Sequence, residues 1–313
     1  MILVTGGQGY VGSFTLRLFK KGKALSVDNY SRGNNFAKKF SKNILVNIQN
    51  KKKISEIIKK YKIETIIHLA SFTCVRESKA KPSIYKKNNL INQKIFFDNI
   101  IELGVKNIIF SSSYSVQGFD KKTSRNFSPY AKYKFLIEKY LKIMSKKNNI
   151  KVIVLRYPNI AGASLDGKLG EKNDKISRIF PTFYKNICRN KKTTIYYDFK
   201  KKIFPSRNYI HVEDIARLNL LASKYIKKMK KNFLLININN KRKFSNKKIF
   251  DLMSKKLKKG SYILKKISKY EKINPLYIND TFLLKKMLWR PKNSSIEKII
   301  NTNIKWFKKI YLN

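Results

Sequence analysis

Short runs of β-branched and other apolar residues alternate with longer stretches of helical spacing through the first half of the chain. Residues 2–4, 24–27, 44–46, 65–69, 107–111 and 151–156 read as strands. Segments 11–21, 82–103 and 130–146 carry helical periodicity, the second with a proline in its first turn, where proline is tolerated. The strand runs are almost wholly apolar, as burial on two faces requires. Their alternation with helices predicts βαβ units and a parallel sheet covered on both sides. Beyond Tyr157 the alternation fails. Residues 161–174 are rich in Gly, Asp and Lys and read as a loop, with short strands following at 193–197 and 234–238. This pattern predicts an α/β fold: a doubly wound parallel sheet over 1–157 and a smaller α+β domain over 158–313. Part of 207–240 is expected to return to the first domain. No internal repeat and no linker-like segment divides the chain.

Composition narrows the class. Of 313 residues, 42% are hydrophobic, ample for a core. Two cysteines, Cys74 and Cys188, exclude a disulfide-stapled scaffold and read as ordinary thiols. No apolar run approaches the ~18 residues of a membrane span, and the N-terminus has no signal-peptide layout. The expectation is a soluble protein of the cytoplasm, without a membrane partner. The net charge of +53 invites a nucleic-acid reading. Yet only 11 of the 71 basic residues are Arg, the residue that reads phosphates and bases bidentately, and the lysines are scattered along the whole chain. Lys abounds beside Asn, Ile, Tyr and Phe, which A/T-rich codons encode. A solvated lysine surface explains the charge without a nucleic-acid partner. The charge still favours anionic ligands, in a salt-sensitive way.

Four of the twelve glycines fall at Gly6, Gly7, Gly9 and Gly12, in a loop that leaves a strand and opens a helix. Missing Cβ atoms there let backbone approach a pyrophosphate, and a helix N-terminus favours the anion. Asp28 ends the second strand, where a carboxylate accepts hydrogen bonds from an adenosine ribose and repels a 2′-phosphate. The pair predicts a Rossmann-type site for NAD in preference to NADP. Arg32, four residues on, pulls weakly the other way.

A second constellation follows. Ser113 closes the strand run Ser111, Ser112, Ser113, and Tyr130 and Lys134 stand four apart at a helix start, on one face. A free tyrosine has a pKa of ~10, too high for a base at neutral pH. A neighbouring ammonium stabilises the phenolate and brings that pKa down. Ser113 adds a hydroxyl to the proton network. His68 and His211 lie in apolar runs and, with no third histidine, build no metal site.

Taken in order, these residues resemble the extended short-chain dehydrogenase/reductase family and, within it, the UDP-glucose (UDP-galactose) 4-epimerases. The resemblance runs through Thr5-Gly6-Gly7, His68-Leu69-Ala70, Ser111-Ser112-Ser113 and Ser128-Pro129-Tyr130. It continues with Arg156-Tyr157-Pro158-Asn159, Asp166-Gly167-Lys168-Leu169-Gly170-Glu171, Arg207-Asn208-Tyr209-Ile210-His211 and Trp289-Arg290-Pro291. It implies catalysis by Ser113, Tyr130 and Lys134. It implies cofactor contacts from Gly6, Gly9, Tyr10, Val11, Gly12, Asp28, Asn29, Asn47, Ile48, Leu69, Ala70, Asn88, Tyr130, Lys134 and Tyr157. Substrate contacts are implied for Ser113, Asn159, Arg178, Arg207 and Tyr277. The implied reaction interconverts UDP-glucose and UDP-galactose: Tyr130 removes the 4-hydroxyl proton as C4 passes a hydride to NAD. The 4-keto sugar then turns over and takes the hydride back on its other face.

The chain departs from the family pattern at several places. Asn47 stands for an Asp, Gln117 for a Tyr, Pro158 for a Phe, and Arg178 for an Asn or His. The segment between Ser113 and Tyr130 is shortened, and of a late diphosphate-binding Arg only Lys269 or Tyr270 stands near the place. These departures leave UDP-N-acetylglucosamine or another nucleotide sugar open as substrate, with a non-catalytic NAD-sensing or nucleic-acid-binding protein as the alternative of another class. The resemblance also implies a homodimer through segments 82–103 and 130–146.

Overall fold

The computed structural model describes residues 1–35, 37–117, 128–172, 178–240, 242–267 and 280–311. Its strands, in chain order, are β1 (Ile2–Thr5), β2 (Ala24–Asp28), β3 (Asn43–Leu45), β4 (Thr65–His68), β5 (Asn107–Ser113) and β6 (Lys151–Tyr157). There follow β7 (Asn159–Ala161), β8 (Thr193–Tyr197), β9 (Ser206–His211), β10 (Phe233–Asn237), β11 (Lys243–Ser245) and β12 (Tyr262–Lys266).

Two compact units share the chain. The first comprises 1–157, 215–238 and 278–290, the second 158–214, 239–277 and 291–313. The first carries a seven-stranded sheet in the order β10-β6-β5-β4-β1-β2-β3, every pairing parallel. The strands alternate their buried side chains between two covered faces. Leu3, Leu25, Ile66, Ile108, Phe110, Val152 and Val154 join one core with Phe96, Phe97, Ile100, Ile137 and Leu141 of the helices Asn92–Glu102 and Pro129–Lys147. Val4, Ile67, Ile109, Ile153 and Leu155 are equally buried. Burial on both faces is why these strands read as continuous apolar runs.

The chain builds outward from β1 to β3, then crosses back to place β4 on the other side of β1. At that reversal the loops after β1 and β4 diverge, leaving a crevice at the carboxyl ends of the strands, the place where such sheets bind ligands. β10 returns 76 residues after β6 ends and pairs with it from Phe233↔Val152 to Asn237↔Arg156.

The predicted helix over 82–103 runs unbroken from 82 to 102, as Pro82–Lys86, a π-turn Lys87–Ile91 and Asn92–Glu102, and is preceded by the short helix Val75–Ala80. The extra residue of a π-turn shifts the following face, a feature that often marks functional positions. Here Asn89 spends its side chain on backbone, accepting from Phe72 N–H at 2.9 Å and donating to the Phe72 carbonyl at 2.8 Å.

The second unit holds a three-stranded sheet, β11-β9-β7, and a two-stranded parallel pair, β12-β8. The helices Ile179–Cys188, Asn246–Leu257 and Ile296–Tyr311 pack with them. Trp306 is buried and donates its indole N–H to the Glu171 carbonyl at 2.8 Å. Among the described residues no helix is long and apolar enough to cross a membrane, and no group of three or more His, Cys, Asp or Glu is placed to hold a metal.

Candidate functional site

The crevice after β1 and β4 opens into a cleft. Gly6, Gly9, Asp28, Asn29, Asn47, Ile48, Leu69, Ala70 and Asn88 line it, together with Ser31, Arg32, Gly33, Ser71 and Phe72. Gly6 has φ +68, and a Cβ there would sit 2.7 Å from Ala70 N, so two loops meet where only glycine fits. A Cβ on Gly12 would lie 2.2 Å from Gly6 O. The helix Tyr10–Arg17 therefore starts hard against the loop. Its N-cap is Gly9, which offers no side chain to the first-turn N–H groups. Tyr10, Val11 and Gly12 form that first turn, whose backbone N–H groups and helix dipole favour an anion.

Beside the glycine loop, Asp28 accepts Gln8 N–H at 2.9 Å on one carboxylate oxygen and Tyr30 N–H at 2.7 Å on the other. Burial raises its pKa above the ordinary carboxylate value, against backbone N–H groups of Tyr30, Gln8 and Asn29 that pull it down. Each oxygen keeps a lone pair for a ribose hydroxyl. Asn47, where the family usually has Asp, takes part in the cleft: its Oδ1 accepts from Asn29 Nδ2 at 3.3 Å. A side-chain-free turn at a helix start and an oriented carboxylate fit the pyrophosphate and ribose of a dinucleotide. Gly12→Ala would press a methyl into the Gly6 carbonyl, backbone against backbone. The expected outcome is at least tenfold less bound dinucleotide in the purified protein, with circular dichroism unchanged; undiminished dinucleotide content would refute the loop's role.

The second constellation lies along the same edge of the sheet. Ser113 is the last residue of β5, two strands from β1, opposite Tyr157 in β6. Its hydroxyl accepts Ser115 N–H at 3.2 Å and lies 3.0 Å from Ser115 Oγ. The helix Pro129–Lys147 begins with Ser128 as N-cap, its Oγ accepting Ala131 N–H at 3.2 Å, and Pro129 as first helical residue. Its buried stripe runs Tyr130, Lys134, Ile137, Glu138, Leu141. Three polar residues thus occupy positions that helical spacing would give to the core.

Lys134 is 2% exposed and donates from Nζ to the Ser111 carbonyl at 2.7 Å. Its ammonium also lies 4.6 Å over the Phe110 ring. Burial pulls its pKa down to about 7, and the Glu138 charge opposes that. Glu138 forms a buried ion pair with Arg156 of β6, at 3.0 Å to Nε and 2.6 Å to Nη2, and accepts the Ser112 hydroxyl as well. Successive β5 residues therefore hold successive turns of the helix: Ser111 binds Lys134, Ser112 binds Glu138. A phenol in the first turn with an ammonium one turn below is chemically suited to proton transfer.

Tyr157 commits its hydroxyl to Asn219 Oδ1 at 2.5 Å, and burial raises its pKa. His68 is fully buried with Nδ1 2.9 Å from Thr5 Oγ1, its ring among Phe96, Phe97 and Phe110. Burial and the Lys134 charge hold its pKa well below the usual value. Gln117 donates to Asn237 Oδ1 at 3.0 Å.

In the second unit, Asn159 opens β7 and donates from Nδ2 to the Asn208 carbonyl at 3.2 Å. Arg207 on β9 donates to the Ser206 carbonyl at 2.9 Å. Arg178 pairs with Glu171 at 2.7 Å, a buried carboxylate whose pKa burial raises and Arg178 lowers. Tyr277, Lys269, Tyr270 and the shortened segment at 118–127 lie outside the described residues.

Sequence reading noted Arg32 beside Asp28 but missed Phe72, Asn89 and Glu138. Phe72 carries no periodic signal. The Asn89 clamp sits in a π-turn that periodicity cannot show. Glu138 was within reach, since Tyr130, Lys134 and Glu138 stand at i, i+4 and i+8.

A parallel sheet with a glycine loop at its switch point, a ribose-side carboxylate and a Ser-Tyr-Lys set defines a dinucleotide-dependent enzyme of the Rossmann class. The NAD dependent epimerase/dehydratase family matches residues 2–238, and the chain belongs to that family. The UDP-glucose 4-epimerase of Lactobacillus helveticus is 31% identical, over 98% of this chain and 97% of that protein. Among solved structures, the UDP-glucose 4-epimerase from Brucella ovis in complex with NAD superposes with a TM-score of 0.87 at 26% identity, over 96% of each chain. The UDP-Glc/GlcNAc 4-epimerase of Campylobacter jejuni gives 0.78 at 26% identity, over 98% of this chain and 99% of that one.

Proposed function

We propose that this protein is an NAD-dependent UDP-glucose 4-epimerase, interconverting UDP-glucose and UDP-galactose through a 4-keto sugar. The observation that carries the reading is Tyr130 and Lys134 on the buried stripe of one helix, beside Ser113, on the sheet edge that also forms the dinucleotide cleft. Bound NAD supplies the acceptor for hydrogen from the sugar's C4 and gives it back. Everything else falls to the chain. Gly6, Gly9, Gly12 and the first helical turn hold the pyrophosphate; Asp28, Asn29, Asn47 and Ile48 hold the adenosine half; Leu69, Ala70, Asn88 and Tyr157 hold the remainder. Tyr130 accepts the 4-hydroxyl proton and returns it. Lys134 stabilises the phenolate by charge, and Ser113 orients the hydroxyl that reacts. Asn159, Arg178, Arg207 and Tyr277 contact the UDP-sugar.

The test is conversion of UDP-galactose to UDP-glucose by the purified protein with no added oxidant or reductant, run in parallel with UDP-N-acetylgalactosamine. Conversion of the first pair supports the reading. Turnover of the acetylated pair alone would move it to the sibling substrate.

The charge of +53 is expected to gather anionic substrates. Raising ionic strength from ~0.05 to ~0.5 M shortens the Debye length severalfold, so KM should rise several-fold with kcat little changed. A KM indifferent to salt would contradict this. We also assign the protein to the cytoplasm, acting as a homodimer through the helices spanning 82–102 and 129–147. Ile84, Ile91 and Ile143 are exposed there. Sedimentation at micromolar concentration should give twice the chain mass; a monomer would refute the pairing.

A further inference from the structure

Among the described residues lining the dinucleotide cleft, Arg32 is the one cation. It stands on the loop after β2, four residues past Asp28. Its guanidinium is already held. One Nη nitrogen lies 2.5 Å from Glu77 Oε1, and the guanidinium carbon lies 4.8 Å over the Phe72 ring. Glu77 belongs to the short helix Val75–Ala80 that follows β4, so the pair ties the loop after β2 to the segment after β4. The carboxylate is fixed from beneath as well. Its Oε2 accepts the hydroxyl of Tyr85, a fully buried ring, at 2.9 Å, and that hydroxyl accepts Cys74 N–H at 3.1 Å.

This arrangement bears on the choice of coenzyme. A guanidinium near an adenosine ribose is the group best suited to a 2′-phosphate, which it binds with two parallel hydrogen bonds. An Arg beside Asp28 therefore works against the preference that Asp28 sets. Pairing with a carboxylate offsets much of its charge, engages one of its Nη donors and leaves its guanidinium over Phe72. We propose that Glu77 is a coenzyme-specificity residue: by binding Arg32 it withholds from the cleft the cation that would accept the 2′-phosphate of NADP. Asp28 repels that phosphate directly, and Glu77 removes its alternative partner. The inference rests on reading the cleft as a dinucleotide site.

Glu77→Gln tests it, because the amide keeps an acceptor for Tyr85 and removes the charge. Wild-type protein, Glu77→Gln and the double variant Glu77→Gln/Arg32→Ala are each dialysed to equilibrium against equal NAD and NADP, and the bound ratio is read. The pair is about a fifth to a quarter exposed, so screening moderates the effect. The expected result is a fall in the NAD:NADP ratio of about tenfold in Glu77→Gln, returning to wild type in the double variant. An unchanged ratio in Glu77→Gln overturns the proposal, as does the same shift in the double variant. Wild-type protein that retains neither dinucleotide overturns the reading of the cleft instead.

Discussion

Tyr130→Phe is expected to slow epimerisation by about 10²–10⁴-fold, the span that a positioned general base contributes, with bound dinucleotide and KM nearly unchanged. The prediction follows from where the hydroxyl sits. Tyr130 is the second residue of its helix, Ser128 caps the turn, and the ring is buried, so a phenylalanine fills the same space. What disappears is the one group that takes and returns the proton. Lys134 cannot replace it, because its Nζ is drawn to the Ser111 carbonyl below. The helix N-terminus adds to the ammonium's effect, since both favour a negative phenolate. Burial also leaves Lys134 with a pKa of about 7, far below that of a free lysine. Protonated Lys134 is thus lost as pH rises through that value, and with it the stabilisation of the phenolate. Wild-type activity should fall on the alkaline side for this reason. A Tyr130→Phe variant keeping more than a tenth of the wild-type rate would contradict the assignment.

Arg156→Leu is expected to cost about 3–5 kcal/mol of stability, because it strands the Glu138 carboxylate without its partner inside the protein. Both side chains are under a tenth exposed. Glu138 receives two hydrogen bonds from Arg156 and one from Ser112, and losing the first two leaves a buried charge with a single donor. The melting temperature should drop by the order of 10 °C. Replacing both partners, in Arg156→Leu/Glu138→Leu, should recover most of the loss, since apolar groups of similar size pack without a desolvation cost. A single variant melting within 2 °C of wild type would show that the pair contributes nothing there. The pair also bears on catalysis, because it anchors the helix one turn past Lys134.

Most of the first unit was legible because its physics is local. Strands buried on two faces carry apolar runs, and β1, β2, β4, β5 and β6 do. The glycine loop was legible in part because Gly12 answers to the Gly6 carbonyl six residues away, whereas the Ala70 backbone that crowds Gly6 lies 64 residues on. Asp28, Tyr130 and Lys134 were legible for a local reason too: Asp28 ends a strand, Tyr130 stands in a first helical turn, and Lys134 lies one turn further along the same face. Long-range pairings were not. β10 joins β6 across 76 residues, and nothing in its five residues names that neighbour. The Arg32–Glu77 pair spans 45 residues and two loops. The π-turn at Lys87–Ile91 adds one residue to a helical register that sequence periodicity takes as uniform, so the helix over 82–103 was legible and the turn inside it was not. Glu138 and Arg156 each look like surface charges until the sheet brings them together.

The most direct test of the proposed chemistry follows the hydrogen at C4. UDP-galactose carrying deuterium there is incubated with the enzyme in ordinary water, and the UDP-glucose formed is read by mass and proton resonance. Deuterium is expected to stay at C4, because Tyr130 exchanges protons only with the oxygen. Product with solvent hydrogen at C4 would mean that a base removes the carbon-bound proton, and the roles given to Tyr130 and the dinucleotide cleft would be wrong.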